Sequence, residues 1–399
     1  MNTKECMTQS DDALLHVYNR YPIVFEKGEG VYLYDTDGKR YLDAAAGIGV
    51  MAYGYGNPEY TQSITSQAEK LLHTSNLFYN LPMSEAAERL KKASGMDRVF
   101  FTNSGTEAVE GALKAAKKYA FLRDGTTDHE IIAMNNSFHG RSLGALSVTG
   151  TAHYREPFEG LIPGIRFADF NDIDSVLALV NEKTCAVILE PLQGEGGIFP
   201  ATEEFIAGLK KLQQERDILL IFDEVQCGMG RTGKMFAYQH YDVHPDILTS
   251  AKALGCGVPV GAFLLTGRVA ERSLVPGDHG STYGGNPFVC SAVSKVLEMM
   301  ERDDLPGHVT RVGAYLEEKL DALAARYDFI VCRRGMGLMQ GLELSVQPGK
   351  AVSKAQELGL IVITAGSNVL RLLPPLIYEE EHVDELVSIL DRVFASLQE

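Results

Sequence analysis

Two side chains that follow apolar runs could act together on a bound aldehyde. Lys252 lies in the glycine-flanked segment TSAKALG, and Asp223 closes the apolar run 218–222. A lysine amine can form a Schiff base with an aldehyde, and a carboxylate can keep a ring nitrogen of the same cofactor protonated. Each residue also has a simpler explanation, since Lys252 could be a solvated loop lysine and Asp223 a cap at a strand end. The chemical interpretation therefore depends on the motifs around them.

A candidate phosphate site lies in the segment TNSGTEA, directly after the apolar run 98–101. Ser104 or Asn103 can cap the helix that begins there, and Gly105 allows the backbone to approach a ligand closely. The free amides at the start of a helix, together with the positive end of its dipole, attract a phosphate. A plain capped helix after a strand would show the same residues, so this motif does not suffice alone.

Side chains suited to a flat ring and to an acidic substrate follow other apolar runs. In NSFHGR, the Phe138 ring could stack on a cofactor ring, and the planar fork of Arg141 could clamp a carboxylate. Core packing of Phe138 and a surface position for Arg141 are the simpler alternatives. The segment ILEPLQGEGG places the carboxylates of Glu190 and Glu195 in a glycine-rich loop that can approach a ligand.

The residues after the aspartate and a second glycine-rich loop supply the remaining contacts of such a cofactor. Val225 could pack on the ring face opposite Phe138, and Gln226 could donate to a phenolic oxygen. The segment 280–287 (GSTYGGNP) offers hydroxyl groups and flexible backbone suited to a phosphate. Together with the lysine and the aspartate, these motifs predict a pyridoxal phosphate site.

One glycine motif and one histidine pair favour other classes of protein at first sight. The segment 228–233 (GMGRTG) fits GxGxxG, but no strand runs directly into it and no helix signal follows it, so an NAD-dependent dehydrogenase is a distant alternative. His240 and His244 are four residues apart, but no Glu follows His240, and Pro245 comes directly after His244. We therefore expect no metal site.

The composition of the 399-residue chain indicates a soluble globular protein with roughly two to three domains, since 45% of its residues are apolar and 23% are charged. No run approaches the roughly 20 apolar residues of a membrane span, and the polar N-terminus lacks the features of a signal peptide. A net charge of −16 argues against nucleic acid as a partner. The six scattered cysteines contain no CxxC pair, which is typical of reduced thiols in a cytoplasmic enzyme.

Alternating strand and helix patterns place the motifs at one edge of a sheet. The predicted strands of this region are 98–101, 130–134, 186–190, 218–223 and 260–265, and apolar residues of helical spacing follow the first of them. This alternation predicts an α/β fold, with a mostly parallel sheet covered by helices on both faces. Such sheets bind ligands beyond the carboxyl ends of their strands, where the motifs begin.

The C-terminal third predicts a smaller α+β domain. Its predicted elements are amphipathic helices at 309–323 and 383–397 and strands at 329–332, 338–344 and 369–373. A strand pair near the N-terminus, at 31–34 and 40–42, is expected to pack with this domain. The predicted division is an N-terminal segment 1–56, a large cofactor-binding domain 57–288 and a small domain 289–399.

The order of the motifs SGTEA, FHGR, EPLQGEGG, DEVQ, SAKALG and TYGGNP resembles that of the class III (subgroup II) aminotransferases. These are fold-type I enzymes that depend on pyridoxal phosphate. The resemblance extends over nearly the whole chain, from VYNR at 17–20 to the final helix. Within the family, FHGR, the following LGALS and the earlier GIGV are most similar to the acetylornithine aminotransferases.

The resemblance implies roles for individual residues. Lys252 would form the Schiff base, and Asp223 would pair with the pyridine nitrogen. The other residues that it places at the cofactor are Gly105, Thr106, Phe138, Glu224, Val225, Gln226 and, from the neighbouring subunit of a homodimer, Thr282. Those that it places at the substrate are Tyr18, Arg141, Glu195, Ser281 and Arg371.

The resemblance also implies the reaction. The δ-amino group of N2-acetyl-L-ornithine would move to 2-oxoglutarate, giving N-acetyl-L-glutamate 5-semialdehyde and L-glutamate in arginine biosynthesis. Arg141 would hold the α-carboxylate of acetylornithine, whereas Arg371 would bind that of glutamate and would otherwise pair with Glu195, because an unpaired buried arginine is costly. Arg371 and Glu195 could equally be surface charges. Ornithine, succinylornithine and 4-aminobutyrate aminotransferases share almost every motif and are the alternatives within the family.

Overall fold

The computed structural model describes residues 2–158 and 160–398 and contains four β-sheets within them. The strands are β1 (Phe25–Glu29), β2 (Tyr32–Asp35), β3 (Arg40–Asp43), β4 (Arg98–Thr102), β5 (Glu130–Met134), β6 (Ile165–Ala168), β7 (Thr184–Leu189), β8 (Leu192–Gln193), β9 (Phe199–Pro200), β10 (Leu219–Asp223), β11 (Ile247–Ser250), β12 (Gly261–Leu265), β13 (Ile330–Met336), β14 (Met339–Leu344), β15 (Leu360–Ile361), β16 (Ile363–Ala365) and β17 (Val369–Leu372).

Helices cover these sheets and connect most of the strands. They are α1 (Thr3–Ala13), α2 (Ala46–Gly49), α3 (Pro58–Lys70), α4 (Leu81–Ser94), α5 (Gly105–Asp124), α6 (Leu143–Ser147), α7 (Ala152–Arg155), α8 (Ile173–Leu179), α9 (Glu203–Glu215), α10 (Gly267–Glu271), α11 (Pro287–Arg302), α12 (Leu305–Ala324), α13 (Pro348–Glu357) and α14 (Glu380–Ala395). Short 3₁₀ turns occupy Ala237–His240 and Lys252–Leu254. The α2 segment is a single irregular turn, because Gly47 and Ile48 have φ angles of 61° and 68°.

The largest sheet has seven strands in the order β4-β12-β11-β10-β7-β5-β6. All of them run in parallel except β12, which is antiparallel to both β11 and β4. The predicted mostly parallel sheet is therefore confirmed, and the five predicted strands appear as β4, β5, β7, β10 and β12. The sheet also contains β6 and β11, which the sequence analysis did not predict.

The central strands are buried on both faces, as a parallel sheet covered by helices requires. In β10, Leu219 and Ile221 belong to the apolar cluster that contains the buried face of α5, whereas Leu220 and Phe222 belong to the cluster on the opposite side. The alternation follows from the two-residue period of a strand. Because the sheet is packed from both sides, the positions of its strand ends are fixed.

Of the two four-stranded sheets, the first brings together the two ends of the chain. It has the order β1-β2-β3-β15, in which β3 pairs in parallel with the C-terminal strand β15, and the other has the order β13-β14-β17-β16. The predicted amphipathic helices are present as α12 and α14, which pack against each other. Helix α11 contacts α3 and α4. The exact division at 56/57 and 288/289 stays a prediction.

A search of the described residues for a helix that could span a membrane, by its length and its apolar character, finds none.

Candidate active site

Two neighbouring strands of the large sheet place Asp223 and Lys252 at the same edge. Asp223 is the last residue of β10, and Lys252 comes two residues after the end of β11. The strands are parallel, and Asp223 pairs in register with Thr249. Both side chains line a cavity of about 490 Å³ beyond the carboxyl ends of the strands. The sheet therefore brings together the two residues with which the chemical interpretation began.

The environment of Lys252 favours its neutral amine. Burial lowers the pKa of this side chain; the charge of Glu195 opposes that shift, and the charge of Arg371 adds to it. The neutral form is the nucleophile that attacks an aldehyde. Lys252 also has a φ of 48°, which is uncommon for a residue with a side chain and often marks functional sites. A solvated loop lysine does not match this position on a cavity wall.

Three hydrogen bonds hold the Asp223 carboxylate, which is only 4% exposed. Its Oδ1 accepts from the Val225 amide and from the Thr249 hydroxyl, each at 3.0 Å, and its Oδ2 lies 2.7 Å from Nδ1 of His139. His139 also lines the cavity. The sequence analysis gave His139 no role, although it stands in the FHGR motif, because its contact with Asp223 joins residues 84 positions apart.

The start of α5 faces the same cavity and has free amides. The Ser104 hydroxyl caps the helix by accepting from the Glu107 amide at 3.3 Å. Among the described residues, the Gly105 and Thr106 amides, at the first two positions of the helix, have no protein acceptor. A Cβ on Gly105 would lie 2.9 Å from Cγ1 of Val225, so only glycine allows this close approach. Two free amides at a helix N-terminus form an anion site.

Apolar and amide side chains complete the cavity wall. Phe138, Val225 and Gln226 all line it, as expected for residues near a flat ring. The Oε1 atom of Gln226 accepts from Nη1 of Arg371 at 3.1 Å, which links the cavity to β17. Their contacts with a cofactor ring stay predictions.

Arg371 and Glu195 form an ion pair beside the cavity. Nη1 and Nη2 of Arg371 lie 2.5 Å and 3.3 Å from Oε1 and Oε2 of Glu195. Arg371 is 3% exposed, so the interpretation of the two residues as surface charges was wrong. Burial raises the pKa of the Glu195 carboxyl, but the charge and hydrogen bonds of Arg371 outweigh this effect, and the pKa is lowered. The carboxylate thus stays ionised and neutralises the buried cation.

Arg141 is a second cation at the cavity, although its side chain is exposed to solvent. Its guanidinium carbon lies 3.9 Å from the ring centroid of Tyr154 and 5.3 Å from that of Phe138. The two arginines therefore differ, because a carboxylate holds Arg371 whereas aromatic rings hold Arg141.

The structure places six of the predicted site residues outside the wall of this cavity, among them Glu195 and Arg371, which lie beside it. The Glu224 carboxylate accepts hydrogen bonds from the Ala237 and Tyr238 amides and does not line the cavity, so it supports the neighbouring loop. Tyr18 is 69% exposed and also lies outside the cavity wall. The other two residues lie in an adjacent cavity of about 340 Å³, which is lined by Ser281 and Thr282.

Asn103 joins the two cavities. It lines both of them, and its Nδ2 lies 3.3 Å from the Ser281 hydroxyl oxygen. Within one chain, the loop that carries Ser281 and Thr282 is therefore next to the lysine cavity but does not enter it.

The glycine motif at 228–233 is not a dinucleotide site. Gly230 and Gly233 have φ angles of 83° and 94°, and a Cβ on Gly233 would lie 2.6 Å from Oγ1 of Thr310 on α12. The next helical residues are those of the short turn Ala237–His240, so no helix opens at the last glycine. Gly233 serves close packing against α12, and the dehydrogenase alternative was wrong.

The residues of the lysine cavity fit pyridoxal phosphate. The free amides of Gly105 and Thr106 suit its phosphate, the fixed Asp223 carboxylate suits its ring nitrogen, and the amine of Lys252 suits its aldehyde. The absence of a Cβ at residue 105 leaves the approach to the amides open.

Comparisons with known proteins agree with this chemistry. The family model described as "Aminotransferase class-III" matches residues 15–394. The acetylornithine aminotransferase of Methanocaldococcus jannaschii is 47% identical over 384 residues, which cover 96% of either chain. The structure of ornithine aminotransferase from Toxoplasma gondii, with pyridoxal phosphate at partial occupancy in its active site, has a TM-score of 0.96 at 30% identity and covers 100% of this chain and 95% of its own. The structure of N-acetylornithine aminotransferase from Stenotrophomonas maltophilia has a TM-score of 0.84 at 35% identity, and the match covers 98% of this chain and 99% of that protein.

The family match and the two similar structures extend over nearly the whole chain. The chain belongs to the class-III aminotransferases, which depend on pyridoxal phosphate and share the type I fold.

Proposed function

We propose that the chain is an acetylornithine aminotransferase of arginine biosynthesis. It transfers the δ-amino group of N2-acetyl-L-ornithine to 2-oxoglutarate and produces N-acetyl-L-glutamate 5-semialdehyde and L-glutamate. The observation that carries this proposal is a pair of unlike cations, Arg141 in the wall of the lysine cavity and Arg371 beside it. Arg141 is free of any carboxylate among the described residues, whereas Arg371 is neutralised by Glu195. The 47% identity to an acetylornithine aminotransferase supports it.

The residues of the cavity divide the work of the reaction. When bound, pyridoxal phosphate supplies an aldehyde that accepts the amino group and a cationic ring that withdraws electrons from the reacting carbon. Gly105 and Thr106 hold the phosphate through their amides, and Asp223 keeps the proton on the ring nitrogen. The Nζ atom of Lys252 removes the proton from the carbon that bears the amino group of the substrate. Burial lowers the pKa of this amine, so a larger fraction of it is unprotonated at neutral pH and available to accept the proton.

The two arginines allow one cavity to accept two different amino donors. Acetylornithine places its α-carboxylate on Arg141, while Glu195 stays on Arg371. Glutamate needs a cation for its own α-carboxylate and takes Arg371 by displacing Glu195. The displacement is feasible because the Glu195 side chain is 29% exposed and can move toward solvent, whereas the Arg371 side chain, at 4%, is fixed on β17.

We also propose that the enzyme is a homodimer with shared active sites. Leu77, Phe78, Tyr79 and Leu81 are 66–97% exposed, which is an unusual cluster for a surface that stays in water. Asn76, next to this cluster, donates from Nδ2 to the carbonyl oxygens of Ser281 and Gly284 at 3.2 and 2.7 Å.

A second copy that covers this apolar surface would lie beside the loop with Ser281 and Thr282. In such a dimer, Thr282 serves the phosphate of the neighbouring subunit, Ser281 lies near its substrate, and Tyr18 contacts the donor. Light scattering of the purified protein tests the dimer, and a monomeric mass at micromolar concentration would contradict it. All six cysteines are free, which fits the reducing cytoplasm in which we place the enzyme.

A comparison of amino donors tests the proposed reaction. Purified enzyme with pyridoxal phosphate and 2-oxoglutarate is supplied in turn with acetylornithine, succinylornithine, ornithine and 4-aminobutyrate, and glutamate formation is measured. We expect the highest kcat/KM with acetylornithine. A higher value with ornithine, the substrate named for the T. gondii protein, would contradict the proposal and favour that alternative.

A further inference from the structure

The guanidinium group of Arg141 lies in a corner between two aromatic rings. Tyr154 and Phe138 have ring centroids 6.1 Å apart and planes at 83°, and the guanidinium carbon is closer to Tyr154, at 3.9 Å from its centroid. Within residues 2–158 and 160–398, Arg141 has no carboxylate within 4.0 Å and no hydrogen bond from its side chain. Its position is therefore set by aromatic contacts, which attract a cation through the ring quadrupole without neutralising it.

The ring of Tyr154 is suited to fix the position of the Arg141 guanidinium group. It belongs to α7, is partly buried, and lines a second cavity of about 660 Å³ whose wall also contains Glu195. The ring thus lies at the wall of the second cavity and contacts Arg141, which lines the lysine cavity. An aromatic support leaves the donors of the guanidinium free for a carboxylate, and no counter-ion has to be displaced first. Arg371 differs in this respect, because Glu195 occupies its donors.

We propose that Tyr154 is a positioning residue for the amino donor. It orients Arg141 for the α-carboxylate of acetylornithine and has no part in the binding of glutamate, which uses Arg371. This inference rests on the proposed function, and it concerns a residue in TAHYRE that the sequence motifs did not include. The ring face, and not the hydroxyl group, is the part that acts, since the phenol oxygen makes no hydrogen bond with the described residues.

Two substitutions at this position separate the contribution of the ring from that of its hydroxyl. Tyr154→Leu removes the aromatic face, and we expect the KM for acetylornithine to rise roughly 2- to 5-fold, the range that corresponds to a cation–π contact of an exposed cation. Tyr154→Phe keeps the face and is expected to stay within about twofold of the unaltered enzyme. The KM for glutamate is expected to stay unchanged in both variants. His153→Leu is the control for the loss of a neighbouring ring, because the His153 ring centroid lies 4.0 Å from that of Tyr154, with the two planes at 56°.

The experiment uses the holoenzyme and measures each half-reaction separately, by single-turnover absorbance over a range of substrate concentrations. A second measurement is independent of turnover. Calorimetric titration with N-acetyl-L-norvaline, which is acetylornithine without its δ-amine, gives the Kd of the carboxylate contact alone. We expect Tyr154→Leu to weaken this Kd by the same factor as the KM.

Equal losses for acetylornithine and glutamate in Tyr154→Leu would overturn the inference, because they would indicate a general structural role. An unchanged Kd for N-acetyl-L-norvaline would overturn it as well. Failure of the proposed function is recognised separately, since the unaltered enzyme would then already fail to react with acetylornithine while still reacting with glutamate.

Discussion

Replacement of Glu195 by glutamine removes the negative charge that faces Arg371 and keeps the size of the side chain. According to the proposed function, glutamate must displace Glu195 in the unaltered enzyme before its α-carboxylate can reach Arg371. In Glu195→Gln, no ion pair has to be broken first. Acetylornithine, in contrast, is proposed to bind while the Glu195–Arg371 contact stays in place. The substitution should therefore change the kinetics of one substrate far more than those of the other.

The magnitude follows from the burial of the pair. Breaking a fully buried ion pair by removing one partner costs about 3–5 kcal/mol. The Arg371 side chain is 4% exposed, but that of Glu195 is 29% exposed, so water already solvates part of the carboxylate. We therefore take the free-energy cost of breaking the Glu195–Arg371 ion pair as about 2 kcal/mol. This cost corresponds to a factor of about 30 in the binding constant of glutamate. We thus expect kcat/KM for glutamate to rise about 30-fold in Glu195→Gln. We expect kcat/KM for acetylornithine to change less than about threefold, because Arg371 of the variant lacks its carboxylate partner both before and after acetylornithine binds.

Stopped-flow measurement of both half-reactions tests this expectation. Glu343→Gln is the matched control, because Glu343 lines the same second cavity as Glu195 and pairs with Arg334, a residue that does not contact Arg371. It changes the net charge equally and should leave both values unaltered. An unchanged ratio of the two kcat/KM values in Glu195→Gln, or the same change in Glu343→Gln, would refute the reasoning.

Three further substitutions have defined outcomes. Lys252→Ala should abolish the visible aldimine band of the holoenzyme and lower kcat by about a thousandfold or more, and an unaltered spectrum would contradict the role of its amine. Gly105→Ala should weaken the affinity for pyridoxal phosphate about tenfold, because the added Cβ would meet Cγ1 of Val225 at 2.9 Å. Gly349→Ala is the control and should leave the affinity unchanged, because, among the described residues, no atom outside its own helix lies within 4 Å of the added Cβ. Equal affinities of the two variants in fluorescence titration would argue against the anion site. Burial raises the pKa of Glu190 from 4.5 to about 7, so its contribution to the stability of the cofactor-free enzyme is present below pH 4.5 and is lost as the pH rises through about 7. Glu190→Gln should flatten this part of the pH dependence of the free energy of unfolding in urea titrations, and an identical slope in both proteins would rule out the assignment.

Hydrophobic patterns predicted the strands that carry most of the site. The apolar runs that end at Asp223 and before Ser104 are long enough to identify β10 and β4, so their terminal residues were correct to within one or two positions. The amphipathic periods of α12 and α14 were equally clear. In contrast, β11 contains only two large apolar residues, Ile247 and Leu248, before Thr249 and Ser250. Its identity as a strand depends on pairing with β10 and β12, which no local pattern records.

Contacts between distant residues limited the prediction of the site. Glu224 follows Asp223 directly, yet adjacent side chains along a strand end point in opposite directions, and its carboxylate turns away toward the Ala237 and Tyr238 amides. The partnership of His139 with Asp223 and the aromatic support of Arg141 by Tyr154 likewise depend on loop geometry. Motif order identified which side chains are present, but not which of them touch.

The hydrogen-bonded register of β10 with β11 makes the chemistry of the cavity inseparable from the integrity of the sheet. A slip of one residue between these strands would turn every side chain of β11 to the other face. No partly loosened form can thus keep the amine of Lys252 opposite the carboxylate of Asp223. The visible absorbance of bound pyridoxal phosphate would therefore be lost together with the structure of the large sheet and would report its unfolding. Saturating pyridoxal phosphate would stabilise the folded state by mass action.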